Sequence, residues 1–207
     1  MSGTIDRVNK ATDTTDQASR PPQRPRGTIE LLCGCMFGGK TEELLRRLRA
    51  RNSANIRAFK HKRDNRYSDH DIVSHGHDHR PATVVARSTE ILEHVDGTED
   101  LIGIDEGHFY DSELAAVCSQ LADRGIDVLV TALDPDSWGR TFPTIEQLKH
   151  TADTVTVITT ACARCGEPAD RTQRVAPIVD GNIIGGPEAF EPRCPTCWHP
   201  PPEPHIK

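Results

Sequence analysis

The chain has 207 residues, 35% hydrophobic, 27% charged and 4% aromatic, with a formal net charge of -6. That length suits one ordinary domain with an appendage. No apolar run approaches the roughly 20 residues of a membrane span, and residues 1–26 lack the apolar core of a secretory signal. A cytoplasmic protein is expected, with neither membrane nor nucleic acid as partner, because an acidic chain lacks the cationic field both require.

Residues 1–26 are polar, poor in aliphatics and end in a proline-rich stretch, which predicts a disordered tail. Thr28 to Cys33 then reads as a buried strand, followed by a glycine-rich turn and a helix over Thr41 to Arg51 with Leu44, Leu45 and Leu48 on one face. Further strands are predicted at Ile56 to Phe59, Thr83 to Ala86, Leu101 to Asp105 and Asp127 to Leu133. A helix from Ser112, as N-cap, to Arg124 is expected between the last two. A weaker helix over Thr144 to Ala152 and a strand over Thr154 to Thr159 close the region. Strands alternating with helices imply an α/β fold, a mostly parallel sheet with flanking helices.

Gly34-Cys35-Met36-Phe37-Gly38-Gly39-Lys40-Thr41 fits G-x-x-x-x-G-K-[ST] and sits after a strand and before a helix, as a P-loop must. Glycines let such a loop curl so that its N–H groups face a phosphate, and the helix N-terminus adds partial positive charge. Lys40 is expected to reach the β- and γ-phosphates of ATP, and the Thr41 hydroxyl to ligate Mg²⁺. A carboxylate at the end of a neighbouring strand is needed on the metal side, and Asp105 is the candidate. Glu106 is then available to accept a proton from an alcohol. The competing reading makes both acids a helix cap or a solvated strand end.

Seven cysteines in a chain without a secretory signal point to metal rather than disulfides. Cys162-Ala-Arg-Cys165 and Cys194-Pro-Thr-Cys197, separated by 28 residues, offer four thiolates from two knuckles, the set a closed structural zinc site uses. A disulfide pairing or coincidence is the alternative. His75, His77 and His79 lie in a stretch with no regular spacing, and a solvated loop is favoured over a second metal site.

Together with Arg66-Tyr67-Ser68, Asp105-Glu106-Gly107-His108-Phe109, Ala132-Leu133-Asp134 and Ile184-Gly185-Gly186 between the cysteine pairs, the P-loop makes residues 27 to 198 resemble the type II thymidine kinases. The resemblance implies a P-loop NTPase-like domain over 27–160, a small zinc-stapled lasso domain over 161–199 and a proline-rich tail over 200–207. It implies ATP-dependent phosphorylation of the thymidine 5′-hydroxyl, with deoxyuridine second and Glu106 as general base. By the same resemblance Arg66 stabilises charge on the transferring group, thymidine triphosphate acts as feedback inhibitor, and the assembly is a homotetramer. By position Met36, Phe109, Leu133, Phe142, Thr172, Ile183, Ile184, Gly185 and Phe190 line the nucleoside pocket. Trp138 joins them only if Pro135 is an insertion in a segment that departs from the family pattern. A second reading is a P-loop zinc-ribbon protein whose nucleotide state regulates a partner without nucleoside turnover. It rests on the altered Trp138 region and on Phe190 in place of the family's tyrosine.

Overall fold

A computed structural model describes residues 24–64, 68–177 and 187–202. The elements run β1 (Ile29–Gly34), α1 (Lys40–Ala50), β2 (Ile56–His61), β3 (Asp71–Val73), β4 (His79–Pro81), β5 (Thr83–Val85), α2 (Glu90–Glu93) and β6 (Leu101–Ile104). A 3₁₀ turn (Gly107–Phe109) precedes α3 (Leu114–Asp123), β7 (Asp127–Leu133), α4 (Pro143–Thr151) and β8 (Thr154–Ile158). The short strands β9 (Thr160–Ala161), β10 (Pro168–Ala169), β11 (Arg171–Arg174) and β12 (Phe190–Arg193) follow, with a second 3₁₀ turn (Pro187–Ala189) before the last.

Six strands form one sheet in the order β5-β2-β6-β7-β1-β8. Every pairing within it is parallel. The predicted mostly parallel sheet with flanking helices is what the chain forms. The central strands are apolar at nearly every position because both faces are covered. Leu31 and Cys33 of β1, with Val128, Val130 and Ala132 of β7, point to the α3 and α4 side, where Leu114, Val117, Cys118, Leu121, Ile145 and Leu148 meet them. Leu32 and Leu129 point to the other side and pack on Leu44, Leu45 and Leu48 of α1. Helix α1 lies so close to β6 that a Cβ on Gly103 would stand 2.8 Å from Leu48 Cδ1.

Several expectations are corrected. Ser112 does not cap α3: the helix begins at Leu114 with Glu113 in the cap position. Asp111 Oδ1 accepts the Glu113 N–H at 3.1 Å instead. The predicted strand over 154–159 forms as β8, ending at Ile158, and β9 then pairs with β10. The β3–β4 hairpin and α2 carried too few residues to show a period. His75, His77 and His79 are exposed at the tip and exit of that hairpin. Its turn is closed by Ser74 N to Asp78 O at 2.8 Å and His77 N to Ser74 O at 3.0 Å. Most of the expected tail over 1–26 lies outside the described residues. Arg24 pairs with Asp100 at 3.4 Å, and Arg26 with Asp123 and Asp153 at 3.2 Å each. Among the described residues no helix is long and apolar enough to cross a membrane.

Candidate active site and cysteine centre

The parallel sheet delivers its loops to one edge. The P-loop leaves β1, the two acids follow β6 and Asp134 follows β7, so all three sit outside the carboxyl ends of adjacent strands, where ligands bind in such sheets. Gly39, the cap residue of α1, has φ 83°, a left-handed conformation that a Cβ would disfavour. Within the loop, Gly38 N donates to Cys35 O at 3.2 Å. Lys40 Nζ donates to the same carbonyl at 2.7 Å. Lys40 is 8% exposed, so its ammonium is held in the loop's concavity rather than in bulk water.

Thr41 Oγ1 lies 3.3 Å from both Asp105 oxygens. Thr131, in the middle of β7, donates its hydroxyl to Asp105 Oδ1 and accepts the Glu106 N–H at 3.2 Å, so one side chain orients both acids. A hydroxyl and a carboxylate meeting at the N-terminus of the P-loop helix is the donor set that Mg²⁺ uses in nucleotide sites, and these residues fit it. Asp105 and Glu106 are 2% and 8% exposed, and Glu106 has φ 53°, which costs a non-glycine residue roughly 1–2 kcal/mol. That conformation turns the second acid away from the first. Glu106 occupies the cap position of the 3₁₀ turn without a side-chain cap hydrogen bond, and both acids are buried rather than solvated.

His108 was not singled out in the sequence. Its Nδ1 accepts the Leu133 N–H at 3.2 Å and lies 3.4 Å from Glu106 Oε2. Its ring packs on Phe109 and Phe142, with centroids 4.3 Å and 5.1 Å away. Leu133, Phe109 and Phe142 are thereby gathered beside Glu106. Met36 is joined to Thr172, whose Oγ1 accepts the Met36 N–H at 3.0 Å. Phe190 pairs across the β11–β12 ladder with Arg174, whose guanidinium lies 5.3 Å from its ring. Trp138 is directed elsewhere: its indole N–H donates to Pro202 O at 3.3 Å and Arg140 stands 5.9 Å over its ring. Arg66, Ile183, Ile184 and Gly185 lie outside the described residues.

Asp134, the acid after β7, is also nearly enclosed, and Lys149 Nζ of α4 lies 2.5 Å from its Oδ2. Burial opposes the charge on Lys149, but the Asp134 carboxylate outweighs it and holds the lysine above its ordinary value. The pair ties the end of β7 to α4.

The second centre is formed by Cys162, Cys165, Cys194 and Cys197, whose sulfur atoms all lie within 4.8 Å of one another. Cys165 Sγ is 3.6 Å from both Cys194 Sγ and Cys197 Sγ. Four sulfurs about 2.3 Å from a tetrahedral zinc stand roughly 3.8 Å apart, so the residues fit that ion. The separations are too long for S–S bonds. Burial opposes ionisation of Cys162, yet backbone N–H groups of Cys194, Arg164 and Cys165 bring its thiol down to about 6. The neighbouring sulfurs push Cys197 up to about 12. One thiolate forms readily and resists the others, which is the electrostatic problem a bound cation solves. Cys118, by contrast, is pushed up to about 12 by burial alone and is an inert part of the core.

Residues 27–198 match the family model described as thymidine kinase. The chain belongs to the thymidine kinase family. A thymidine kinase of Rhodothermus sp. (strain ITI 518) is 41% identical over 177 residues, which cover 84% of this chain and 83% of that one. The expected family, kinase activity and P-loop architecture therefore stand, and a nucleotide-regulated protein without turnover is not favoured. Among solved structures, the Legionella pneumophila ATPase DotB aligns with TM-score 0.35 and 14% identity over 62% of this chain and 40% of that chain. That likeness is too slight to argue from.

Proposed function

We propose that this thymidine kinase transfers the γ-phosphoryl group of ATP to the 5′-hydroxyl of thymidine, with Glu106 accepting the hydroxyl proton. The observation that carries the reading is one edge of the sheet where Thr41 adjoins Asp105, Lys40 bonds the loop carbonyl of Cys35, and Glu106 lies beside His108, which meets Leu133, Phe109 and Phe142. Phosphoryl transfer asks a protein mainly for positioning and electrostatic stabilisation. Loop N–H groups and Lys40 hold the donor phosphates, and Arg66 adds charge to the transferring group. Thr41 and Asp105 hold Mg²⁺, which when bound neutralises phosphate charge. Glu106 orients the alcohol and takes its proton.

The thymine base enters a pocket formed by Met36, Phe109, Leu133, Phe142, Thr172 and Phe190, to which family resemblance adds Ile183, Ile184 and Gly185. By the same resemblance, main-chain groups between the cysteine pairs read the pyrimidine edge. Because its indole is turned to the C-terminal tail, Trp138 contributes least to this pocket. The division into a nucleotide-binding domain over 27–160, a lasso domain over 161–199 stapled by zinc at the four cysteines, and a tail over 200–207 belongs to the same reading. Separate small sheets, β9–β10 and β11–β12, support it. Thymidine triphosphate fits the nucleoside pocket with its phosphates toward the donor site, which makes it the feedback inhibitor. A homotetramer in the cytoplasm completes the reading.

Thermal shift tests it. A ligand that binds only the folded state raises the apparent stability. Thymidine should raise Tm more than deoxycytidine or any purine deoxynucleoside, and ATP with Mg²⁺ should add to the shift. A nucleoside panel without any stabilising pyrimidine would overturn the reading.

A further inference from the structure

The phosphate loop is not held by its own turn alone. Cys35 Sγ lies 3.6 Å from Ala169 O, and Met36 N donates to Thr172 Oγ1 at 3.0 Å, so two successive loop residues are tied to the cysteine lobe. Cys35 is 0% exposed and Thr172 is 1% exposed, so the first bond is shielded from water and the second partly so. On the other side, Cys35 O receives both Lys40 Nζ and Gly38 N. Thr172 is itself fixed: its carbonyl accepts the Trp198 indole N–H at 3.1 Å. Trp198 directly follows the second cysteine knuckle, where the Cys197 and Trp198 N–H groups both donate to Cys194 O at 3.0 Å. A continuous chain of bonds thus runs from the cysteine knuckle through Trp198 and Thr172 to Met36 and the phosphate loop.

An N–H already bonded to a protein hydroxyl is not free for a phosphate. The Met36 N–H therefore serves as an anchor, fixing the curl in which other N–H groups of the loop point at the ligand. We propose that Thr172 is a positioning residue for the donor site: its hydroxyl braces the phosphate loop from the cysteine lobe, so order in that lobe sets the affinity for ATP. This rests on the thymidine kinase reading and extends Thr172 beyond the pocket wall. Because coupling is reciprocal, a nucleoside that orders the lobe tightens ATP, and ATP tightens the nucleoside.

The test measures ATP binding by calorimetry, in Mg²⁺ and without any nucleoside, so that direct effects of Thr172 on the base do not enter. Thr172→Val keeps the shape and removes the acceptor; ATP affinity should fall about 5- to 10-fold, the scale of one buried hydrogen bond. Thr172→Ser restores the hydroxyl and should recover most of that loss, which a packing role for the methyl group would not predict. Thymidine added to the native protein should tighten ATP, and this tightening should shrink in Thr172→Val. If Thr172→Val does not fold, Trp198→Phe decides, since it removes the N–H that fixes the Thr172 carbonyl together with the larger ring's contacts to Gly139 and Arg171; ATP affinity should fall about threefold at unchanged zinc content. Native ATP affinity in a folded Thr172→Val, equal losses in the Val and Ser variants, or native affinity in Trp198→Phe would each overturn the proposal. Absence of thymidine turnover in the native protein would instead overturn the underlying reading.

Discussion

His108 Nδ1 stands between Glu106 and Leu133, 3.4 Å from the Glu106 Oε2 atom and 3.2 Å from the Leu133 N–H that it accepts. The ring thus lies between the proposed proton acceptor and the proposed pocket wall. His108→Ala should lower kcat by roughly tenfold with little change in KM for ATP, because misplacement of a reacting group acts on the transition state. Steady-state kinetics check this; a rise in KM for ATP at native kcat would contradict it.

Lys40 and Glu106 should separate by role. Lys40→Ala should weaken ATP binding by about 10- to 100-fold, the worth of a charge-assisted contact. Glu106→Gln should leave both ligands bound and lower turnover by at least about 10²-fold, the scale of general-base loss. Binding and single-turnover measurements on the same preparations distinguish them. A Glu106→Gln variant with most of its rate would show that another group takes the proton.

The cysteine centre should be structural. Cys194→Ser or a strong chelator should loosen β9 to β12 and abolish nucleoside binding while leaving the parallel sheet folded, because among the described residues that lobe's own buried hydrophobic cluster is Cys162, Ala169 and Cys194, with Cys197 against it. Metal analysis should return one zinc per chain. Protein that holds no zinc and still binds thymidine would contradict this.

Much of the site was legible because it follows from local rules. A strand, a glycine-rich turn and a helix in succession identify the P-loop, an apolar run ending in two acids points to Asp105 and Glu106, and paired C-x-x-C knuckles point to the four-cysteine cluster. Thr131, Thr172 and His108 were not legible by those rules. A threonine inside Asp127–Leu133 reads as an ordinary β-branched strand residue, and its bond to Asp105 spans 26 positions of sequence. The Thr172 bond to Met36 spans 136. Neither partner is chosen by periodicity; tertiary packing brings them together. The short strands of the cysteine lobe were equally hidden, since two- to four-residue strands such as Pro168–Ala169 and Arg171–Arg174 carry no pattern.

The Asp134–Lys149 pair should matter for stability. Asp134 is 4% exposed at the side chain and Lys149 30%, so Lys149→Met strands a buried carboxylate. The expected cost is about 3 kcal/mol, the low end for a broken buried pair because the lysine is partly solvated. Urea unfolding of the variant at pH 7 checks it; a loss under about 0.5 kcal/mol, typical of a surface change, would contradict it.

Acid sensitivity should have an identifiable contributor. Hydrogen bonds from Arg46, then Arg47, hold Glu43 at about 2 against an ordinary 4.5, with burial opposing. A carboxylate depressed by folding stabilises the native state fully above its unfolded value, and that stabilisation is lost as pH falls from about 4.5 toward 2. The effect is modest because Arg46 is largely solvated. Glu43→Gln should therefore reduce stability at pH 7 and flatten its dependence on pH below 4.5, as read by Tm across a pH series. An unchanged slope would remove Glu43 from the account.

The central claim is that the pocket beside Glu106 selects thymidine. The proposed reading gives thymine a methyl-sized space beside Met36, which would favour it over uracil by about 1–3 kcal/mol. Deoxycytidine accepts at N3 where thymine donates, which leaves buried polar groups unpaired. The measurement is a competition assay in which the native protein, ATP and Mg²⁺ meet equal concentrations of the four common deoxynucleosides and deoxyuridine, with each monophosphate quantified. Thymidine monophosphate should lead, deoxyuridine monophosphate should follow, and deoxycytidine and purine products should be marginal. Faster phosphorylation of deoxycytidine or of a purine deoxynucleoside would contradict it.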